Sequence, residues 1–163
     1  MLAVQHTTDL TAPILLFDGV CNLCNRTVDF IVRHDTDGIV KFASLQSETG
    51  RALLDRAGLP GDYDASLVLV EDGRYTTEST AALRVARYLE APWSWAHVLR
   101  IVPTFARDAV YRWISRNRYA WFGKRDTCRI PTAEERSRFL DDGAAVSQRD
   151  DIPQSVTPST DPA

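Results

Sequence analysis

The sequence has few cysteines, no excess of basic residues and no long apolar run, and each shortage argues against a class of protein. Three cysteines in 163 residues are too few for a scaffold held together by disulfides, and an odd number leaves one thiol unpaired. The 19 basic and 22 acidic residues give a net charge of -3, which disfavours a nucleic-acid-binding protein. The longest apolar runs, such as residues 14–17 and 67–70, are far shorter than the roughly 20 residues that span a bilayer, which excludes a transmembrane protein.

The first twelve residues also lack the features of an export signal. Residues 1–12 contain no Lys or Arg, and the stretch from His6 to Asp9 is polar where a signal peptide has an unbroken apolar core. Combined with the small number of cysteines, this pattern predicts a protein of the reducing cytoplasm.

Short apolar runs alternate with amphipathic stretches over the first half of the chain. Residues of a buried strand form a short apolar run, whereas the apolar residues of a helix recur at spacings of three and four. Asp72-Gly73 is the dipeptide expected at a tight hairpin between antiparallel strands. The predicted elements are strand 13–17, helix 22–34, strand 39–43, helix 47–57 capped by Ser47, strand 66–71, strand 74–77 and a helix that Ser79 caps and that ends before Pro92. This βαβαββα order predicts an α/β domain with a central sheet and flanking helices.

The segment after this core is rich in aromatic residues and arginine. Residues 100–129 contain eight basic residues against two acidic ones. A helix capped by Thr104 is predicted here, with Asp108 and Arg112 paired at i,i+4. The positive charge fits an anionic partner or contact with a membrane surface. The apolar spacing instead favours a helix that packs its Trp and Tyr residues on the sheet and leaves its arginines in solvent.

The end of the chain changes character again. Thr132 followed by Glu135 fits a capping box, which predicts a last short helix over 133–140. Beyond Gly143 the residues are mostly Ser, Thr, Pro, Gln and Asp, which bury too little apolar surface to offset the entropy of ordering them. The predicted organisation is a flexible N-terminus at 1–12, one domain at 13–142 and a disordered tail at 143–163.

Cys21 and Cys24 form a C-x-x-C motif where the first strand passes into the first helix. Free N–H groups and the positive end of the helix dipole favour a thiolate there, which lowers the pKa of Cys21 below the usual value of roughly 8.5. Cys24 lies one turn further along the same side of the helix, where it can attack a mixed disulfide formed on Cys21. The spacing therefore predicts Cys21 as the nucleophile and Cys24 as the resolving thiol.

Other interpretations of the two cysteines stay open. A structural zinc needs four N or S ligands, and the remaining candidates are Cys128 and the scattered His6, His34 and His97. Cysteines that merely pack in the core are a further alternative. Cys128 itself is a candidate third redox thiol, a third metal ligand or an ordinary packing residue.

Asp18 precedes the first cysteine by three residues, at the end of the first strand. Burial at that position would raise the pKa of its carboxyl group. We therefore predict that Asp18 accepts the proton of Cys24 as that thiol attacks, which is a general-base role. The alternative is an Asx turn in which the carboxylate accepts hydrogen bonds from nearby backbone N–H groups.

The chain resembles the DCC family of thiol-disulfide oxidoreductase-like proteins. The resemblance begins with the Asp-x-x-Cys-x-x-Cys signature at residues 18–24 and extends from about Ile14 to Leu140. The other family-like blocks are residues 42–47, 78–83, 117–119, 121–124, and Cys128 ahead of Pro131. The resemblance implies a thioredoxin-like fold and points to disulfide exchange.

The sequence departs from ordinary thioredoxins in the segment before the third strand. Thioredoxins carry a cis-proline there, whereas this chain has Asp64-Ala65-Ser66. We expect a thiol-disulfide oxidoreductase that acts on a protein or small-molecule disulfide, needs no organic cofactor and is reset by an external thiol reductant. The alternative is a non-catalytic thioredoxin-like binding module that holds a metal through Cys21, Cys24 and Cys128.

Overall fold

The apolar runs of the first half of the chain come together in one sheet. A computed structural model describes residues 12–126, 131–140 and 157–158. The elements in chain order are β1 (Ile14–Phe17), α1 (Asn22–His34), β2 (Lys41–Ser44), α2 (Glu48–Arg56), β3 (Val68–Glu71), β4 (Arg74–Thr77), α3 (Glu78–Ala86), α4 (Thr104–Phe122) and β5 (Thr157–Pro158), with 3₁₀ segments at Trp93–Ile101 and Arg136–Arg138. The predicted βαβαββα order of the core is confirmed.

The sheet is mixed, with strand order β2-β1-β3-β4-β5. Strand β1 pairs in parallel with β2 and antiparallel with β3, and β3 forms an antiparallel hairpin with β4. Every residue of β1 and β3 is buried, which explains why β1 and the first three residues of β3 are unbroken apolar runs rather than alternating ones. This order and these directions are those of a thioredoxin-like α/β fold.

Alternate residues of β1 belong to two different cores. Leu15 and Phe17 pack with Val28 of α1 and Val85 of α3 on one face of the sheet. The other face buries a second cluster around α2, made of Ile14, Leu16, Ala43, Leu45, Leu53, Leu54, Ala57, Val68 and Val70. The side chains of successive strand residues point to opposite faces, so one four-residue strand anchors both helical layers.

Local signals set the hairpin and the start of α2 as predicted. Asp72 and Gly73 both have positive φ, 50° and 70°, which a two-residue hairpin turn of type I′ requires. Ser47 caps α2, because its hydroxyl accepts a hydrogen bond from the N–H of Gly50 at 3.0 Å. Gly50 lies against the preceding strand, where an added Cβ would come within 1.9 Å of the Ser44 carbonyl oxygen.

The predicted cap of α3 and the predicted ion pair within α4 are wrong. Helix α3 begins at Glu78, and Ser79 instead hydrogen-bonds to Asp108 of α4. Arg112 donates two hydrogen bonds to Glu78, at 2.8 and 3.0 Å, rather than pairing with Asp108. The predicted cap at Thr104 is also wrong, because Thr104 is the first residue of α4. The capping position falls on Pro103, which makes no side-chain capping hydrogen bond. Tertiary contacts between α3 and α4 have replaced the local pairings.

The last predicted helix is reduced to the 3₁₀ turn Arg136–Arg138. The N–H of Thr132 does donate a hydrogen bond to the expected partner, the Glu135 carboxylate, at 3.1 Å. The chain then becomes extended because Phe139 inserts between the core rings of Phe17 and Phe42, so it cannot continue as a helix. Of the segments 1–12 and 143–163, the structure describes residues 12 and 157–158. The two-residue strand β5 pairs in parallel with β4.

The expectation that α4 packs its Trp residues on the sheet is wrong, whereas Tyr111 does face inward. Trp113 is 60% exposed and Phe105 is 80% exposed. The inward face of α4 carries polar side chains, among them Tyr111, Ser115 and Arg118, which hydrogen-bond to the segment 64–67. In the part of the chain that the structure describes, no helix is long and apolar enough to cross a membrane.

Candidate functional site

The two cysteines lie where the sequence analysis predicted them, at the junction of β1 and α1. Cys21 is the capping residue of α1, with extended φ and ψ of -80° and 122°. Its Sγ accepts a hydrogen bond from the N–H of Cys24 at 3.4 Å. A sulfur in this position meets the free N–H groups and the positive end of the helix dipole.

The two thiols have opposite acidities. The Cys24 thiol donates a hydrogen bond to the Cys21 sulfur, and this is the main cause that lowers the pKa of Cys21 to about 6. The Cys24 N–H and the positive charge of Arg118 lower it further, while burial opposes them. The same thiol-thiol hydrogen bond, together with burial, raises the pKa of Cys24 well above its usual range. Near neutral pH the pair therefore consists of a Cys21 thiolate and a protonated Cys24.

The more acidic sulfur is also the less accessible one. Cys21 is 0% exposed, whereas Cys24 is half-buried. Residues 123–125, which we call the cover segment, run antiparallel beside Cys21 through a bridge with Lys124. The N–H of Arg125 donates to the Val20 carbonyl at 2.7 Å. The N–H of Asn22 donates to the Gly123 carbonyl at 3.3 Å, so the cover segment is hydrogen-bonded on both sides of the buried Cys21.

Asn22 fastens the cover segment from the motif side. Its side-chain amide donates to the Phe122 carbonyl at 2.8 Å and accepts from Nε of Arg125 at 2.8 Å. Gly123, which ends α4, has a φ of 80°. An added Cβ there would be 3.1 Å from the Asn22 amide, so this turn favours glycine. The residues between the cysteines thus shape access to the pair.

Asp18 is buried beneath the pair and accepts hydrogen bonds on both carboxylate oxygens. One oxygen accepts from the N–H of Val20 at 3.1 Å, which is the Asx-turn contact considered from the sequence, and from the Gln46 amide at 2.8 Å. The other accepts from Arg118 at 3.3 Å and from the Tyr119 hydroxyl. The Asp18 charge also contributes to the raised pKa of Cys24, so it lies close enough to sense that thiol.

Arg118 and Tyr119 complete this network, and the sequence reasoning assigned them no role. Burial, reinforced by the hydrogen bond to Asp18, raises the pKa of Tyr119 to about 12, so it is a neutral phenol at pH 7. Arg118 is buried although it lies on a helix with many exposed residues. The signal that pointed to both residues was their place in the family-like block 117–119.

Arg118 also hydrogen-bonds to the segment that carries the cis-proline in thioredoxins. Its guanidinium donates to the carbonyls of Asp64 at 2.5 Å and Ala65 at 3.3 Å. These carbonyls belong to the segment before β3 that in thioredoxins ends in the cis-proline. The cis peptide bond Ala91–Pro92 lies after α3, in a different part of the chain. A side chain from α4 therefore fixes the backbone opposite the cysteines.

A pocket of about 180 Å³ opens beside Cys24. Its lining is largely apolar and includes Leu23, Tyr111 and Ile114, together with Asp18. Tyr111 is held in place by accepting the N–H of Leu67 at 3.0 Å. This pocket gives a bound molecule a route to the side of the pair on which Cys24 lies.

The three-cysteine metal site considered from the sequence cannot be assembled from the described residues. Cys128 lies outside them. Within residues 12–126 and 131–140, no group of three His, Cys, Asp or Glu side chains is placed to hold a metal ion. His34 instead contacts Glu90 at 2.8 Å.

The fold and the site define a thioredoxin-like α/β protein with a C-x-x-C pair at the start of its first helix. The chain belongs to the DCC1-like thiol-disulfide oxidoreductase family, whose model matches residues 15–124. The family resemblance seen in the sequence is thereby confirmed.

Two relatives illustrate this membership. The chain is 51% identical over 127 residues to the Bacillus subtilis (strain 168) protein described as uncharacterized protein YuxK, and the match covers 78% of this chain and 93% of that protein. It is 44% identical over 119 residues to the DCC family protein At1g52590, chloroplastic, of Arabidopsis thaliana, with 72% and 69% covered. No solved structure gave a significant match.

Proposed function

We propose that the protein is a thiol-disulfide oxidoreductase that exchanges disulfides through Cys21 and Cys24. The observation that carries the proposal is the hydrogen bond from the Cys24 thiol to a Cys21 sulfur at the cap of α1, which lowers the pKa of Cys21 to about 6. A thiolate at neutral pH next to a second thiol is the arrangement that disulfide exchange needs. Membership of the family supports a redox function of this kind.

The reaction begins when the Cys21 thiolate attacks one sulfur of a substrate disulfide. The substrate S–S bond breaks, one half leaves as a thiolate, and a mixed disulfide remains on Cys21. The Cys24 thiol then loses its proton to Asp18, and its sulfur attacks Cys21 and releases the second half, which takes the proton. The substrate gains two electrons, and the Cys21–Cys24 pair is oxidised to a disulfide. An external thiol reductant returns the two electrons, and no organic cofactor takes part.

In this cycle Asp18 acts as the general base for Cys24. Its position in the lining of the pocket beside Cys24 and its influence on that thiol support the role. Arg118 and Tyr119 would hold the carboxylate in place, and the substrate would approach through the same pocket. Full burial of Cys21 favours the competing function, a thioredoxin-like binding module without redox chemistry.

The test is an equilibrium redox titration against glutathione, read by alkylation and mass spectrometry for each cysteine. We expect one two-electron transition confined to Cys21 and Cys24, present in Cys128→Ser and absent in Cys21→Ser. The variant Cys24→Ser should accumulate a mixed disulfide on Cys21, because the resolving thiol is missing. If Cys21 and Cys24 stay reduced over the whole range, the exchange function is wrong and the binding module takes its place.

A further inference from the structure

The 3₁₀ segment Trp93–Ile101 and helix α4 together present an outward apolar side, which we call the aromatic surface. Ten of the eleven exposed large apolar side chains of the described residues lie between 93 and 122. Among them are Trp95, Val98, Ile101, Phe105, Trp113 and Trp121. Scattered single apolar residues are ordinary on a protein surface, but ten exposed large apolar side chains within residues 93–122 mark a binding site.

Helix α4 has its large apolar side chains on the solvent side and polar side chains on the side that faces the domain, which is the reverse of an ordinary core helix. Phe105, Ala109, Trp113 and Ala120 recur at spacings of four, four and seven and are all exposed, so they share one side of α4. Trp113 and Trp121 contact each other edge to face, with ring centroids 4.9 Å apart. Ile101, 82% exposed, and Phe105 flank the turn at Pro103 and extend this side onto the 3₁₀ segment.

The charge around the aromatic surface is positive in an acidic protein. Residues 93–125 contain seven of the chain's 19 basic residues and one of its 22 acidic residues. That acidic residue, Asp108, is turned toward α3, where it bonds to Ser79. Arg112 is paired with Glu78 and Arg118 is buried beside Asp18, whereas Arg116 is exposed on α4 one turn from Trp113. An anionic partner is therefore complementary to this surface.

We propose that the aromatic surface docks on an anionic lipid bilayer as a peripheral membrane contact. Trp95, Trp113 and Trp121 are each more than half exposed on these two elements, and amphipathic aromatic rings beside arginines are the side chains that settle at a membrane interface. A symmetric dimer through the same surface would bring two equally positive patches together, which is unfavourable. A lipid headgroup layer satisfies both the charge and the apolar side chains.

Sedimentation of the reduced full-length protein with vesicles tests the proposal. We expect binding to phosphatidylcholine vesicles that contain phosphatidylglycerol, weaker binding as salt is added, and a blue shift of tryptophan emission in the bound state. The double variant Ile101→Ser/Phe105→Ser should lose at least about tenfold in partitioning, because it removes two apolar side chains from the interface. Arg116→Gln should lose about fivefold.

Two variants elsewhere on the protein serve as matched controls. Ile39→Ser removes the exposed apolar residue that lies outside the aromatic surface, and Arg26→Gln removes an exposed charge on α1. Both should bind like the wild type. Equal losses in the controls, no binding to anionic vesicles, or equal binding to pure phosphatidylcholine would overturn the proposal. So would a lipid-free dimer that Ile101→Ser/Phe105→Ser abolishes, because the surface would then be a self-association interface.

Discussion

Two buried aspartates, Asp18 and Asp35, are each paired with an arginine from the second half of the chain, and their surroundings differ. Asp35 ends α1 and accepts hydrogen bonds from the N–H groups of Ile39 and Val40 at 3.2 and 2.9 Å. Arg138 pairs with it at 2.5 Å and donates to the Val40 carbonyl as well. This pair fixes the backbone between α1 and β2.

Asp18 is surrounded mainly by side chains. Gln46, Arg118 and Tyr119 reach it from three separate parts of the chain, and Cys24 lies beside it. Backbone partners hold a charge in one place, whereas side-chain partners can readjust when a neighbouring group changes charge. The comparison shows that two buried ion pairs of the same chain can have different roles, since one pair stabilises a loop and the other lies next to reactive thiols.

Removal of either arginine should have the largest effect on stability. Arg118→Ala and Arg138→Ala each leave a buried carboxylate without its cation, which costs about 3–5 kcal/mol in the free energy of unfolding. Urea unfolding measures this cost, with exposed Arg33→Ala as the control that should cost little. A loss below about 1 kcal/mol for Arg138→Ala would show that Asp35 is held by backbone N–H groups alone.

Neutralising Asp18 and Asp35 should affect the rate of disulfide exchange differently. Asp18→Asn should slow resolution of a mixed disulfide on Cys21 by about 100-fold or more, because the general base for Cys24 is lost. Asp35→Asn should leave that rate unchanged while both variants lose stability. Stopped-flow reduction of a mixed disulfide measures the step. If Asp18→Asn loses stability and keeps its rate, Asp18 is only a turn cap.

The acidity of Cys21 should respond to one arginine and not to the other. Thiolate absorbance of the reduced protein should titrate at about pH 6 in the wild type and in Arg138→Ala, and at higher pH in Arg118→Ala. Because folding lowers this pKa, the thiolate stabilises the fold fully above the unfolded pKa near 9, and this stabilisation is lost as the pH falls through 6. If the pKa of Cys21 is unchanged in Arg118→Ala, the Arg118 guanidinium does not lower the pKa of that thiol.

The smallest expected effect is on the alkylation rate of Cys21, which the cover segment influences. The cover segment lies beside the cysteines near Asp18 and not beside Asp35. Arg125→Ala removes the hydrogen bond to the Asn22 side chain, which contributes about 1 kcal/mol to keeping the segment closed. Alkylation of Cys21 should therefore become up to about fivefold faster, and alkylation of Cys24 should change less. Mass spectrometry of each cysteine gives both rates. If Cys21 also reacts faster in the Arg33→Ala control, the alkylation rate does not depend on the hydrogen bond that holds the cover segment.

Local residues were sufficient to predict most of the fold. Unbroken apolar runs identified β1 and β3, the Asp72-Gly73 dipeptide identified the hairpin, and Ser47 identified the start of α2. These signals act within a few residues, so they can be read without knowledge of the tertiary structure. The capping box at Thr132 was less informative, because the insertion of Phe139 into the core outweighed it.

Local patterns of residues predict the βαβαββα order, the position of Cys21 and Cys24 at a helix start, and an aromatic stripe along α4. The tertiary structure brings Arg118 and Tyr119, 100 and 101 residues after Asp18, to its carboxylate. It also decided that Cys21 is covered and that the aromatic stripe faces outward. Helical periodicity shows that a helix has an apolar side, but the packing of the other elements determines what that side contacts.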